Sequence, residues 1–458
     1  MLLYFVLELI RLIDIRERLW LNKTAKTLSI LVISVLCLSI FTSSAAAGTT
    51  GLWIYGGDKY DMAIANMATM DGSHVLVGCT QSYGSLADDL WLFKVAGDGS
   101  TTWSKHYGGE GNESGFNVIT TVDGGYAVIG ATTSYGAGEE DIWLVKTDSE
   151  GNMQWNQTYG GLYDDEGWML IQTSDGGYLI TGLICTSEGI GDGCLIKTDS
   201  SGNLEWQKTY GGAGDEGFYG ITKSSEGGYI LAGYTNSTGA GKCDVWLVKV
   251  SASGTEQWAK TYGGSEDDYG YIAFETETDF VVDCTTYSYG AGEADVWLLK
   301  VDAMGGLMWN YTYGGPEDDH GWYGAKTTDG FALGGYTYSY GVNGNAAAWL
   351  IKVDINGMTM WNQTYGSAAK DFYGWAVTQT SDGGYAISGE VLPVDVDTCD
   401  AFLVITDENG DALIPEDTAN TELIPLWAVG AIVAVIIVVL LVVVLLMRRK
   451  PKQPQPTQ

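Results

Sequence analysis

Four acidic pairs recur along the chain, Asp165–Glu166, Asp215–Glu216, Asp267–Asp268 and Asp318–Asp319, each five or six residues after the tyrosine of a Tyr-Gly-Gly. An aromatic follows each pair, and the wider set is Phe116, Trp168, Phe218, Tyr271, Trp322 and Trp375. A second group, Tyr83, Tyr135, Tyr289 and Tyr340, stands beside glycine in Ser-Tyr-Gly stretches. Paired carboxylates on glycine-rich loops suit Ca2+, which needs several oxygens at once. Aromatic planes with nearby acceptors suit sugar rings, and loop tyrosines also serve protein contacts. The same carboxylates could instead cap turn amides, and the aromatics could be packing. Calcium is the one cofactor the residues suggest.

Other chemistry is missing. His74, His106 and His320 fall in different repeats at different positions, so no triad or zinc spacing forms. A catalytic carboxylate pair should be unique, whereas these acids recur. Residues 48–423 hold 54 acids and 14 bases once the three acids and five bases of residues 1–47 and the four tail bases are set aside. All 14 are lysine, and a net charge near −40 argues against nucleic acid and other polyanions.

The elements that must position these residues follow from the repeat. The Tyr-Gly-Gly (or Tyr-Gly-Ser) tyrosine falls at 55, 107, 159, 210, 262, 313 and 365, a period of 51 or 52. Each unit reads as four short strands, as in "FNVITT", "YAVIGATT", "DIWLVKTD" and "MQWNQTYG". Strand c is apolar on both faces, as a sheet sandwiched between sheets requires. The first Tyr-Gly-Gly follows a lone strand, "GLWI", and the last unit lacks its fourth strand. The expected fold is all-β, a seven-bladed β-propeller over residues 48–412 whose N-terminal strand closes the last blade. The d–a and b–c connections then share one face, which carries the aromatics and acids.

The ends add a membrane topology. Residues 1–47 read as a signal peptide or signal anchor, with an apolar run at 27–41 after five bases. Residues 413–423 form a spacer, 424–447 an uncharged run of bilayer length, and 448–458 a basic tail that stays cytoplasmic. This places the propeller outside the cell with its loop face outward.

The chain resembles bacterial and archaeal surface proteins built from "DGGY…DxWLxKxDxxG…W…YGG" propeller repeats. That resemblance implies fold and surface location more than activity. "TSDGGY" resembles the start of a sialidase Asp-box, but the ectodomain has no arginine for that chemistry. "TDSEGNMQW" is similar to the tryptophan-docking turn of quinoprotein dehydrogenases, one residue short, again without their arginine or adjacent cysteine pair.

Six cysteines lie outside the leader. Aligning the repeats suggests Cys243–Cys284 and Cys79–Cys399 between consecutive blades, and Cys185–Cys194 within blade 3, with six free thiols as the alternative. Sequons occur at Asn112, Asn156, Asn236, Asn310 and Asn362, three of them at one position of strand d. The functional expectation is a non-enzymatic surface propeller binding extracellular polysaccharide or a surface protein. The alternatives are a calcium-assisted lyase or glycoside hydrolase, and a purely structural envelope component.

Overall fold

The computed structural model describes residues 50–84, 87–187, 189–393 and 398–412. Seven antiparallel sheets succeed one another along the chain, each a blade with strands a to d from the hub outward. Blade 2 is typical, with strands Glu113–Thr120, Tyr126–Thr132, Asp141–Thr147 and Met153–Tyr159. Strands b and c of this blade are buried from end to end, because both their faces meet a neighbouring sheet. Strand d is exposed or half-buried up to its buried last residue, Tyr159, as the rim should be.

Blade 7 is completed from the other end of the chain. Gly51–Tyr55 pairs antiparallel with Asp400–Thr406, giving strand d beside strands a, b and c of residues 370–406. The seam is bonded like the other interfaces. The Asp61 amide donates to Cys399 O at 2.9 Å, as the Asp268 amide does to Cys243 O at 2.8 Å. Buried Asn66 of blade 1 adds a latch to blade 7. Its Nδ2 donates to Ala376 O at 3.1 Å and Ser388 Oγ at 3.0 Å, and its Oδ1 accepts from Thr378 Oγ1 at 2.6 Å.

The rim obeys one rule seven times. The Tyr-Gly-Gly tyrosine hydroxyl donates to a glycine carbonyl in the c–d turn of the next blade. The pairs are Tyr55–Gly99, Tyr107–Gly151, Tyr159–Gly202, Tyr210–Gly254, Tyr262–Gly305, Tyr313–Gly357 and Tyr365–Gly410. The strand d tryptophan docks on the same glycine. At Gly202 φ is +79°, and a Cβ would lie 2.6 Å from the Trp155 ring, so only glycine fits. The recurring aromatic and Tyr-Gly-Gly are therefore the fastener between blades.

The six cysteines of the described residues are all free, and none of the three suggested bridges is present. Cys194 pairs with Gly182 across strands b and c, whereas Cys185 pairs with Gly191. Three residues of register separate the two thiols by roughly 10 Å along the sheet, beyond a disulfide's reach. Cys79 and Cys284 do not occupy equivalent positions. Cys79 lies one residue nearer the Ser-Tyr-Gly than Cys284, and one residue turns a strand side chain to the other face. Cys79 shares the face of Val75 and Val77, which pack on blade 2, away from Cys399 of blade 7. Cys284 does face blade 4, but pairs with Gly270, below the Asp268 amide that bonds Cys243 O.

The expected leader and membrane-spanning run fall in residues 1–49 and 413–458, outside the described residues. Among the described residues no helix is long and apolar enough to cross a membrane.

Candidate binding face

Each blade spends one extra residue at its hub. In strand a a β-bulge skips Ile64, Phe116, Trp168, Tyr219, Tyr271 and Trp375 in blades 1, 2, 3, 4, 5 and 7. A bulge re-aims the skipped side chain, here out of the inter-blade packing. Blade 6 goes further: its strand a is broken between Asp319–Gly321 and Ala325–Lys326. The freed segment leans on blade 7, with the Val377 amide bonded to Tyr323 O at 2.9 Å and the Tyr323 amide to Trp375 O at 3.2 Å. The Tyr323 hydroxyl reaches across the hub to Tyr219 O of blade 4, at 3.3 Å.

These rings form a continuous ribbon. Centroid distances run Trp168–Tyr219 4.4 Å, Tyr219–Tyr271 5.3 Å, Tyr271–Trp322 4.8 Å and Trp322–Trp375 4.8 Å. From Trp375 it rises through Tyr336 and Tyr373 to Tyr338, whose hydroxyl meets that of Tyr373 at 2.6 Å. His320 stacks on Tyr336 at 4.8 Å and faces Tyr287. Three buried polar atoms here have no partner: Nε1 of Trp322, Nε1 of Trp375 and Oδ1 of Asp318. Phe116 packs at the edge of the cluster around Trp168, Leu183 and Tyr234.

Phe218 is not in the ribbon. It is fully buried between blades and stacks on Trp246 at 4.8 Å, while Tyr219 takes the hub position. The signal was available, since the bulged residue lies nine after the Tyr-Gly-Gly tyrosine in blades 1 to 5, as does Trp322 in the broken strand of blade 6. Tyr83, Tyr135, Tyr289 and Tyr340 are exposed but pinned. Each hydroxyl donates to the first glycine of a Tyr-Gly-Gly, Tyr135 to Gly108 O at 2.9 Å and Tyr289 to Gly263 O at 2.7 Å, for example. Each ring also packs on a strand c tryptophan.

The acids divide by role. Asp165, Glu216, Asp268 and Asp319 are buried and open strand a or immediately precede it. Asp268 accepts from the Gly264 amide at 2.8 Å, Ser288 Oγ at 2.7 Å and the Thr286 hydroxyl. Glu216 accepts from the Gly212 amide at 2.7 Å and Thr235 Oγ1 at 2.8 Å, Asp319 from the Gly315 amide at 2.6 Å, and Asp165 from the Cys185 amide at 2.8 Å. These carboxylates tie the d–a loop to strand b. Asp215 accepts from the Tyr234 hydroxyl at 3.1 Å, Asp267 from the Cys243 amide at 3.1 Å, and Glu166 from Trp168 Nε1 at 2.8 Å. Burial raises the Glu166 carboxyl. Among the described residues no cluster of three or more His, Cys, Asp or Glu side chains could hold a metal.

One buried acid was not singled out from sequence. Asp283 lies on strand b of blade 5, fully buried, with neither oxygen hydrogen-bonded. It shares the face of Val281, which packs on blade 6, and lies against Gly324 in the broken strand. Burial pushes its carboxyl well above the usual range, opposed by the Gly324 and Cys284 amides.

Of the sequons, Asn156, Asn310 and Asn362 are exposed on strand d, and each Oδ1 accepts from a strand c indole, at 3.1, 3.2 and 3.3 Å respectively. Asn112 and Asn236 are exposed at the loop face, where their Oδ1 atoms accept from the Asp88 and Asp215 amides.

No family model matches the chain, and no curated protein does. Among solved structures, it is similar to the Neurospora crassa Pan2 WD40 domain, at 9% identity over 80% of this chain and 98% of that one, with a TM-score of 0.46. It is also similar to Sqt1 from Chaetomium thermophilum, at 9% identity, 79% and 98% coverage and a TM-score of 0.45. A structure described as YCF48 bound to D1 peptide shares 11% identity over 79% and 97% of the two chains, with a TM-score of 0.43. The architecture stands on the chain's own strand pairing: a seven-bladed β-propeller closed by its N-terminal strand.

Proposed function

We propose that this chain is a non-enzymatic, single-pass cell-surface propeller whose loop face binds an extracellular polysaccharide or a surface protein. The observation that carries it is the aromatic ribbon from Trp168 to Tyr338 with three unpartnered polar atoms beside it. The half-buried rings, Trp322, Trp375, Tyr336 and Tyr338, offer faces to the C–H faces of a sugar, and the two indole donors and the carboxylate acceptor, buried and unpaired beside them, reach its hydroxyls once those rings turn outward on binding. The repeat resemblance and the apolar run at 424–447 support the surface location.

A polysaccharide lyase or hydrolase would need a proton donor and acceptor flanking one bond. Apart from Asp318, the loop-face carboxylates described above are occupied by loop amides, hydroxyls or an indole, which favours binding over cleavage. A Ca2+ ion here would take part of its oxygen ligands from the polysaccharide, since the described residues form no cluster of three or more carboxylates.

The test is a glycan-array screen of the purified chain, with and without chelator, alongside Trp322→Ala and Trp375→Ala. Retention of a polysaccharide, weakened about tenfold or more by either substitution, is expected. Release of shortened or unsaturated products would replace this reading with the enzyme. Retention unchanged in both variants would move the site off the ribbon.

A further inference from the structure

The face opposite the loops carries its own repeated device. In blades 1 to 6 the strand c lysine, buried along its stem, delivers its ammonium to an acid in the a–b turn of its own blade. The pairs are Lys94–Asp71 at 2.8 Å, Lys146–Asp123 at 2.9 Å, Lys197–Asp175 at 3.1 Å, Lys249–Glu226 at 2.8 Å, Lys300–Asp279 at 3.4 Å and Lys352–Asp329 at 2.7 Å. The first residue of the next blade's strand b lies beside several of these ammonium groups: Tyr126 by Lys94, and the Phe280 ring centre 5.7 Å from Lys249 Nζ. In blades 2 and 3 the ammonium also donates to the carbonyl of the following residue, at 2.7 Å.

Blade 7 keeps the acid and loses the base. Its turn acid is Asp382, but the lysine position, five residues after Asp400, is Ile405. The next blade offers His74 where the others offer tyrosine or phenylalanine. A cavity of about 450 Å³ opens at this place between blades 7 and 1, lined by Asp382, His74, Ile405, Asp71, Asp98 and Thr380 among others. His74 is 3% exposed and its Nδ1 has no hydrogen-bond partner. Asp382 accepts from Thr380 Oγ1 and the Gly384 amide through Oδ1 only.

We propose that this seam cavity binds a primary alkylammonium group supplied from outside the chain, with Asp382 Oδ2 as counter-ion and His74 Nδ1 as acceptor. The incoming group stands where six lysines stand elsewhere in the ring. Its third proton meets the position of the Thr406 carbonyl, the equivalent of Thr147 O and Thr198 O in blades 2 and 3. A histidine acceptor requires the tautomer with the proton on Nε2. Burial lowers the His74 imidazole to about 4, so at neutral pH it does not supply the missing positive charge itself. A metal is disfavoured by the absence of a third side-chain ligand among the described residues. The chemistry is shared by a free alkylamine and by a lysine side chain of a partner protein. This site is independent of the loop-face reading, and either can fail alone.

The experiment is isothermal titration of the full chain in detergent micelles with Nα-acetyl-lysine methylamide, its neutral isostere Nα-acetyl-norleucine methylamide, and a diaminoalkane. The lysine derivative should bind, with the isostere weaker by about tenfold or more. Asp382→Asn should cost a similar factor. Ile405→Lys rebuilds the pairing of the other six blades, so it should fold normally and abolish the binding by filling the site from within. Tighter binding of the lysine derivative than of the diaminoalkane points to a polypeptide source, and the reverse to a free amine. Equal binding of lysine and norleucine derivatives, no binding of any amine to the unaltered chain, or full affinity in a folded Ile405→Lys chain would each overturn the proposal.

Discussion

The rim and the hub are built from the same repeats under opposite rules. At the rim every blade makes the same tyrosine–glycine bond and docks a strand d tryptophan on that glycine, benzo edge first in six junctions and pyrrole edge first for Trp53 at the seam. At the hub the residue type varies from isoleucine through phenylalanine and tyrosine to tryptophan, repeating between neighbours only in blades 4 and 5 and in blades 6 and 7, and blade 6 abandons its inner strand to lean on blade 7. The rim needs identity, because seven wedges close a circle only if each interface repeats the last. The hub has no such constraint: its inner strands border a shared centre, and one extra residue per strand is aimed there. Repetition marks what holds the ring together, and departures from it mark places free to do something else.

Removing the closing strand Gly51–Tyr55 leaves blade 7 with three strands and exposes its edge. It should lower stability more than any single substitution, by about 5 kcal/mol or more, read from thermal or denaturant melting. A small loss would mean the ring closes without it. Next is the hub plug. Tyr323→Ala should cost about 3–5 kcal/mol, whereas Tyr323→Phe, losing only the bond to Tyr219 O, should cost about 1 kcal/mol.

The rim rule predicts equivalence. Gly99→Ala at the seam and Gly202→Ala inside the ring, both at positive φ, place a Cβ 2.0 Å from the pyrrole edge of Trp53 and 2.6 Å from the benzo edge of Trp155, and each should cost about 1–3 kcal/mol. A much smaller cost at Gly99 would show the seam to be looser than the other interfaces. The subtlest prediction concerns Asp283. Its folded-state pKa lies above the unfolded value of about 3.9, so its contribution is complete below that pH and declines as pH rises toward the folded value. Asp283→Asn keeps the shape without the titration. It should match the unaltered chain near pH 4 and exceed it in melting temperature at pH 8, and equal pH profiles would show that Asp283 is not held neutral.

Much of the rim was legible in the residues. The tyrosine period set the blade count, and the orphan first strand with the incomplete last unit set the closure. The hub and its surroundings were legible only in part, for one physical reason: side-chain direction in a strand changes with every residue. Phe218 and Tyr219 are adjacent, yet one is in the inter-blade core and the other at the hub. Cys79 and Cys284 share a local "CT" but differ by one step from the Ser-Tyr-Gly, so they face opposite neighbours. Counting from the fixed tyrosine separates such pairs, whereas matching short strings does not. The loop tyrosines are exposed, but nothing in their spacing announces that each hydroxyl already holds a glycine carbonyl. Asp283 and the Tyr323 crossing arise from the broken strand, which has no periodic signature.

The seven tyrosine–glycine bonds also separate the order of the blades in space from the order of their synthesis. Since the bond at the junction of first and last blades is like the other six, the wheel has no privileged cut. A gene rearranged to begin at the Gly160 loop, with Thr50 and Ala412 joined by a linker, should yield the same wheel with the same cavity between Ile405 and His74, because side chains set that gap and free ends do not.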